Sequence, residues 1–211
     1  MHGPDKESLE EESQGEHASR ITHHASSSRS RITISMSHEL IKREYLYRGR
    51  VLDLSRSRFV SEAKGEVDIE IVHHNGGAGT LPLFDDGSVA LVKQWRYPLG
   101  RYSLEIPAGR IELGHSPEET AARELEEELG YRARNFHKLG EFYVAPGYCE
   151  ERLFVYLATE LEASEQNLDD DEEIEVVRLP FADALSRVYS GEIDDAKSII
   201  TLVLAARRIE R

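Results

Sequence analysis

Between Glu39 and about Ile71, apolar and polar positions alternate with the period of extended chain. REYLYRGRVLDLSRSRFV sets Tyr45, Tyr47, Val51, Leu52, Leu54, Phe59 and Val60 among polar neighbours, and EVDIEIVHH puts Val67, Ile69 and Ile71 on one face. Successive side chains of a strand point to opposite faces, so this pattern predicts strands. Asn75-Gly76-Gly77 marks a turn or loop. TLPLFDDGSVALVKQWRYP reads as a hairpin, with Asp86-Gly87 as the tight turn between the apolar runs Leu81–Phe84 and Val89–Val92. PLGRYSLEIPAGRIELGHSP reads as a loop.

The period then becomes helical. Ala121, Leu125 and Leu129 are spaced four apart, which predicts a helix over Pro117–Leu129 with those residues facing the core. Its ends are marked as well. Ser116 is the N-cap, Pro117 opens the first turn, Glu118 and Glu119 favour the positive end of the helix dipole, and Gly130 is the stop. Strands are expected again at HKLGEFYVA, ERLFVYLATEL and IEVVRLP, and the helices FADALSRVYSG and DAKSIITLVLAARRIER close the chain. This order predicts an α+β fold with an α/β/α sandwich.

Residues 1–37 share none of these periods. They are rich in Ser, His and Glu, lack aromatics, and read as a disordered tail. Met36 at its end is an alternative start. The remainder divides into an N-terminal β subdomain at 38–78 and a larger domain at 79–211.

Composition narrows the function. The 211 residues are 39% hydrophobic, enough for a core of ordinary domain size. MHGPDKESLEEE lacks a basic segment followed by an apolar run, so it is not read as a signal peptide, and no apolar run is long enough to span a bilayer. One cysteine, Cys149, excludes a disulfide framework and a cysteine-rich zinc site, and the reading is cytoplasmic. Lys and Arg number 26 against 40 Asp and Glu, a net charge of −14. A nucleic-acid backbone would be repelled, so neither nucleic acid nor membrane is expected as a partner.

The helix carries the candidate chemistry. Glu124, Glu127 and Glu128 are three and four residues apart and share one side. Hard oxygen donors on a rigid helix suit Mg²⁺ or Mn²⁺. Periodicity alone favours a solvated acidic face. The surrounding residues add a specific signal. Gly109, Arg123, Glu124, Glu127, Glu128 and Gly130, with Leu125 and Tyr131 at the bulky positions, resemble the Nudix box G-x(5)-E-x(7)-R-E-U-x-E-E-x-G-U. His115 replaces the first glutamate, and Tyr131 is aromatic where an aliphatic is usual.

The resemblance implies that the sandwich is the Nudix fold, with a metal site comprising Glu124, Glu127 and Glu128 and the carbonyl of Ala108. VALVKQWRYPLGRYSLEIPAG is similar to the segment before the box in the branch that hydrolyses ADP-ribose and nucleoside diphosphate sugars. By that likeness Arg96 would meet a substrate phosphate, and Glu105 would lie at the substrate near the metals. Pro146-Gly147 resembles the branch's mark for ADP-ribose-type substrates, and PGYCEERLFVYLA places Glu151 at its acidic position. The acidic loop LDDDEEIEV would supply a glutamate that orients or deprotonates water, Glu172 or alternatively Glu173. The implied catalytic set is then Glu127, Glu128, Glu151 and Glu172.

The implied activity is metal-dependent hydrolysis of ADP-ribose or a related nucleoside diphosphate sugar, giving a nucleoside monophosphate and a sugar phosphate. Alternatives are another nucleotide substrate, such as GDP-mannose or a dinucleoside polyphosphate, and a degenerate domain that binds without hydrolysis. The branch also implies a homodimer built on residues 38–78, with Tyr45, Tyr47 or Phe59 stacking the base.

Overall fold

A computed structural model describes residues 38–168 and 173–209; the tail read at 1–37 and the candidate Glu172 lie outside the described residues. Three strands come first: β1 (His38–Arg48), β2 (Asp53–Ser61) and β3 (Gly65–His73). They form an antiparallel meander in the order β1-β2-β3, with Leu54 opposite Val72 and Phe59 opposite Val67. The expected alternation is present, but it does not hide the apolar side chains. β1 is exposed along its length, and Leu40, Ile41, Leu46, Tyr47 and Ile69 all face solvent. The buried positions of β2 are Ser55, Ser57 and Ser61. Buried hydroxyls need partners, and Ser55 Oγ lies 2.8 Å from His73 Nε2 and 3.1 Å from Ser57 Oγ.

Two further sheets form the sandwich. β4 (Gly77–Pro82), β7 (Ala108–Arg110), β8 (Tyr131–Tyr143) and β9 (Arg152–Ala163) make one, in the order β7-β4-β9-β8. β5 (Ser88–Arg96), β6 (Arg101–Glu105) and β10 (Ile174–Pro180) make the other, in the order β10-β5-β6. The helices are α1 (Pro117–Leu129), α2 (Phe181–Ser190) and α3 (Ala196–Ile209).

Strand alternation now explains the layers. On β9, Val155 and Leu157 pack with Leu202 and Ala205 of α3, whereas Tyr156 and Ala158 pack towards α1. On β5, Val89 and Leu91 join the first side, and Ala90 and Val92 join Leu125 on the second. Strands covered on both faces read as continuous apolar runs. An α/β/α arrangement is the result, and no helix among the described residues is long and apolar enough to cross a membrane.

Two expectations are corrected. The tight turn at Asp86-Gly87 is built, with the Gly87 N–H on the Phe84 carbonyl and the Phe84 N–H on the Ser88 carbonyl, both at 2.9 Å, but the hairpin ends at the Leu83–Val89 bridge and the two runs diverge into different sheets. Each run is buried on both faces and needs its own neighbours, which a two-stranded ribbon cannot provide. β4 finds them in β9, parallel, and in β7, antiparallel. The expected loop between β5 and α1 contains β6 and β7. β7 is three residues long, too short for any period to show.

Candidate active site

The local sequence sets α1 in place with little freedom. Ser116 Oγ accepts from the Glu119 N–H at 3.2 Å, and Glu119 Oε2 accepts from the Ser116 N–H at 2.7 Å. This reciprocal cap satisfies two amide donors that a helix start leaves open. At the other end Gly130 takes φ 69°, and its N–H donates to the Glu126 carbonyl at 2.8 Å. Ala121 and Leu125 are fully buried, as the spacing requires.

That seating puts the acidic side of α1 against β7. Glu124 and Glu128 are buried, at 6% and 3% exposure. The Glu128 carboxylate accepts from the Ala108 N–H at 3.0 Å. The Glu124 carboxylate rests on the backbone of Gly109, in the space a side chain there would fill. Arg123 gathers the neighbours: Nη2 donates to Glu124 at 2.7 Å and Nη1 to Glu127 at 2.5 Å. Burial alone would lower the Arg123 pKa, but Glu124 and Glu127 outweigh it and raise it. His115 is exposed and its N–H bonds the Glu112 carbonyl, so it does not stand in for the family glutamate at Arg123.

A second group borders the same stretch of β7 backbone, Ala108–Gly109. Arg96 at the end of β5 makes a two-pronged bond to Glu105 at the end of β6, Nε at 2.8 Å and Nη2 at 2.6 Å. Lys197 in the first turn of α3 reaches the same carboxylate. Burial would raise the Glu105 pKa, yet Arg96 and Lys197 together hold it at about 2. Arg96, Lys197, Ala108, Gly109 and Glu151 line one cleft of about 350 Å³.

The loop that carries Glu151 is tied to the N-terminal sheet. The Val72 N–H donates to the Tyr148 carbonyl at 2.8 Å and the Glu150 N–H to the Val72 carbonyl at 3.0 Å. His73 Nδ1 lies 2.6 Å from Glu150 Oε2, and His74 Nδ1 lies 3.7 Å from Glu151 Oε1. Pro146 and Gly147 sit in the exposed turn just before, outside the lining of the cleft. Glu173 receives a long 3.4 Å bond from the Tyr102 hydroxyl, on the other side of Arg96.

The pattern described as the NUDIX domain matches residues 73–201. This chain belongs to the NUDIX family. It is 42% identical over 166 residues to the "ADP-ribose pyrophosphatase" of Bacillus subtilis (strain 168), covering 78% of this chain and 90% of that protein. It is 36% identical over 149 residues to the "GDP-mannose pyrophosphatase" of Yersinia enterocolitica, covering 65% of this chain and 77% of that one. A solved structure, "Crystal structure of ADP compounds hydrolase", superposes with a TM-score of 0.73 at 20% identity, covering 82% of this chain and 95% of that one. That likeness supports the fold.

As a Nudix enzyme, the chain needs its acidic helix to fit a divalent cation. Among the described residues no His, Cys, Asp or Glu group is already gathered as a metal centre. The donor chemistry nevertheless fits. Glu124, Glu127 and Glu128 are hard oxygen donors on one helix, two of them buried where only a cation or hydrogen bonds can offset their charge. Lys197 and Asp195 escaped the sequence reading. The signal was present in DAKS at a helix start, where Asp195 Oδ2 caps the Ser198 N–H at 3.0 Å and accepts from Lys197 at 3.0 Å.

Proposed function

We propose that this Nudix pyrophosphatase hydrolyses the diphosphate of ADP-ribose or a closely related nucleoside diphosphate sugar, with Mg²⁺ or Mn²⁺, as a homodimer. The observation that carries the reading is the meeting of two opposite charge groups at the Ala108–Gly109 backbone of one cleft. Arg96 and Lys197 line the cleft with Ala108 and Gly109, the backbone on which the buried Glu128 and Glu124 carboxylates of α1 rest. A diphosphate and its cation need both. GDP-mannose is the second substrate reading, favoured by the Yersinia relative.

Glu124, Glu127 and Glu128, with the Ala108 carbonyl, are the residues to hold the cation, which supplies neutralisation of phosphate oxygens and a lowered pKa for water. Arg96 orients a phosphate through its planar fork. Water attacks one phosphorus in line, the bond from that phosphorus to the bridging oxygen breaks, and the bridging oxygen leaves on the other phosphate. The water proton passes to a carboxylate. Glu151 at the cleft wall and Glu172 in the acidic loop are the candidates. Pro146-Gly147 shapes the turn that delivers Glu151.

Residues 38–78 form the dimerisation and base-binding part of this proposal, ahead of a catalytic domain at 79–211. Support comes from the apolar surface that β1 leaves in solvent, unusual for a lone domain. Tyr47 is the most exposed of the three candidate rings, at 58%, while Tyr45 is covered by the Arg48 guanidinium at 3.9 Å. The test is product analysis over ADP-ribose, GDP-mannose and dinucleoside polyphosphates with Mg²⁺. AMP and ribose 5-phosphate from ADP-ribose are expected. Release from none of these substrates overturns the reading.

A further inference from the structure

The Glu105 carboxylate is 3% exposed, and both its oxygens are taken. Oε1 accepts from Arg96 Nε, and Oε2 accepts from Arg96 Nη2 and from Lys197 Nζ. Three of the roughly four acceptor sites of this carboxylate are already filled by cationic donors, which leaves its charge committed to them. The carboxylate brings two positive side chains from different elements to one point. Arg96 comes from β5 and Lys197 from α3, far apart in sequence.

The donors that remain point to a ligand. Arg96 binds Glu105 through Nε and Nη2, and its Nη1 carries no hydrogen bond among the described residues. Lys197 spends its ammonium hydrogens on Glu105 and Asp195 and keeps one in reserve. Asp195 is itself locked by the Ser198 N–H at 3.0 Å and the Ser198 hydroxyl at 2.6 Å, so the lysine is held from two sides. Only 12% of the Lys197 side chain is exposed, yet the residue lines the cleft beside Ala108 and Glu151. Glu128 is close enough to act on the charge of Arg96. The two cations therefore border the place where the carboxylates of α1 would hold a metal-bound diphosphate.

We infer that Glu105 is a positioning residue that holds Arg96 and Lys197 side by side as a two-cation clamp on the substrate diphosphate. This assigns Lys197 a binding role and removes Glu105 from contact with substrate or metal. It rests on the pyrophosphatase reading, but it makes a separate claim about how phosphate oxygens are gripped.

The test uses the full chain with Glu105→Gln, Lys197→Gln and Lys197→Arg. Three quantities are read: KM and kcat for ADP-ribose, the affinity for inorganic pyrophosphate in Mg²⁺ by calorimetry, and the Mn²⁺ affinity and stoichiometry by electron spin resonance. Glu105→Gln and Lys197→Gln should each weaken pyrophosphate binding and raise KM about tenfold or more, the loss of a charge-assisted hydrogen bond. Mn²⁺ binding should be unchanged in both, and Lys197→Arg should recover most of the loss. Unchanged KM and pyrophosphate affinity in Glu105→Gln overturns the clamp, as does loss of a Mn²⁺ site in that variant. If Glu105→Gln does not fold, Lys197→Gln decides: wild-type pyrophosphate affinity there overturns the proposal. A wild-type chain that binds pyrophosphate but hydrolyses no nucleoside diphosphate sugar overturns the enzyme reading alone, and the clamp is still judged by pyrophosphate.

Discussion

The carboxylate of Glu124 occupies the space beside Gly109 so closely that a Cβ on residue 109 would overlap Glu124 Oε1. Gly109→Ala should therefore fold, because the strand geometry of β7 tolerates alanine, but should push Glu124 away from its place. A displacement near 1 Å at a reacting centre costs on the order of 10²-fold in rate. Steady-state kinetics with ADP-ribose and thermal unfolding of the same preparation check both halves. A variant with wild-type kcat/KM would show that Glu124 does not need this seat.

Buried like charges on α1 should make the metal-free protein less stable than the loaded one. Mg²⁺ is expected to raise the unfolding temperature of the wild type, since a ligand that binds only the folded state stabilises it. In Glu128→Gln the rise should shrink and turnover should fall by about 10²-fold or more, as removal of an electrostatic stabiliser does. An unfolding temperature indifferent to Mg²⁺ in the wild type would contradict the ligand assignment.

His115 is exposed and distant in role from Arg123, whose fork is already occupied by Glu124 and Glu127. His115→Glu should leave kcat equal or somewhat higher, because the new carboxylate restores the family pattern without displacing a partner. A large fall in kcat would mean that His115 has a function of its own.

Acid should weaken the fold through Glu105. Its pKa lies at about 2 in the folded protein against 4.5 ordinarily. A group whose folded pKa is depressed contributes stability that is complete above the ordinary value and is lost as pH falls towards the folded one. Denaturant titrations at pH 6, 4 and 3 (values chosen roughly to bracket that window) should show wild type losing stability more steeply than Glu105→Gln. Parallel pH profiles would refute the assignment.

The exposed surface of β1 should be covered by a second copy. Sedimentation is expected to give twice the 23.9 kDa chain mass, and a charged residue at Ile41 should shift the population to monomer. A stable wild-type monomer active on ADP-ribose would end the dimer proposal.

The legible parts of the molecule are those with a local cause. Helix α1 begins and ends where Ser116 and Gly130 place it, since caps are decided by the residues themselves. β10 spans IEVVRLP as read from its apolar run. At Asp86-Gly87 the turn was legible and forms, but the hairpin stops after one bridge, because a turn and two apolar runs say nothing about distant partners and β9 takes the rest of β4. At the site, the carboxylates shared a face that their spacing announced. The Arg96–Glu105–Lys197 group was invisible as a unit, because long-range packing brings α3 to the end of β6.

The pairing of β4 with β9 also orders events in time. Gly77–Pro82 lies parallel to Leu153–Ala158, and β5 waits for β10 at Ile174–Pro180. A chain leaving the ribosome can close the β1–β3 meander as soon as it emerges, since those contacts are near in sequence. β4 and β5 then have near partners on one edge only, in β7 and β6, and their other edges stay apolar and open until more than half of the remaining chain has been made. Non-local pairing of this kind slows folding and exposes sticky strands meanwhile. Pauses in translation before residue 153 are therefore the interval in which this protein is most in need of a chaperone.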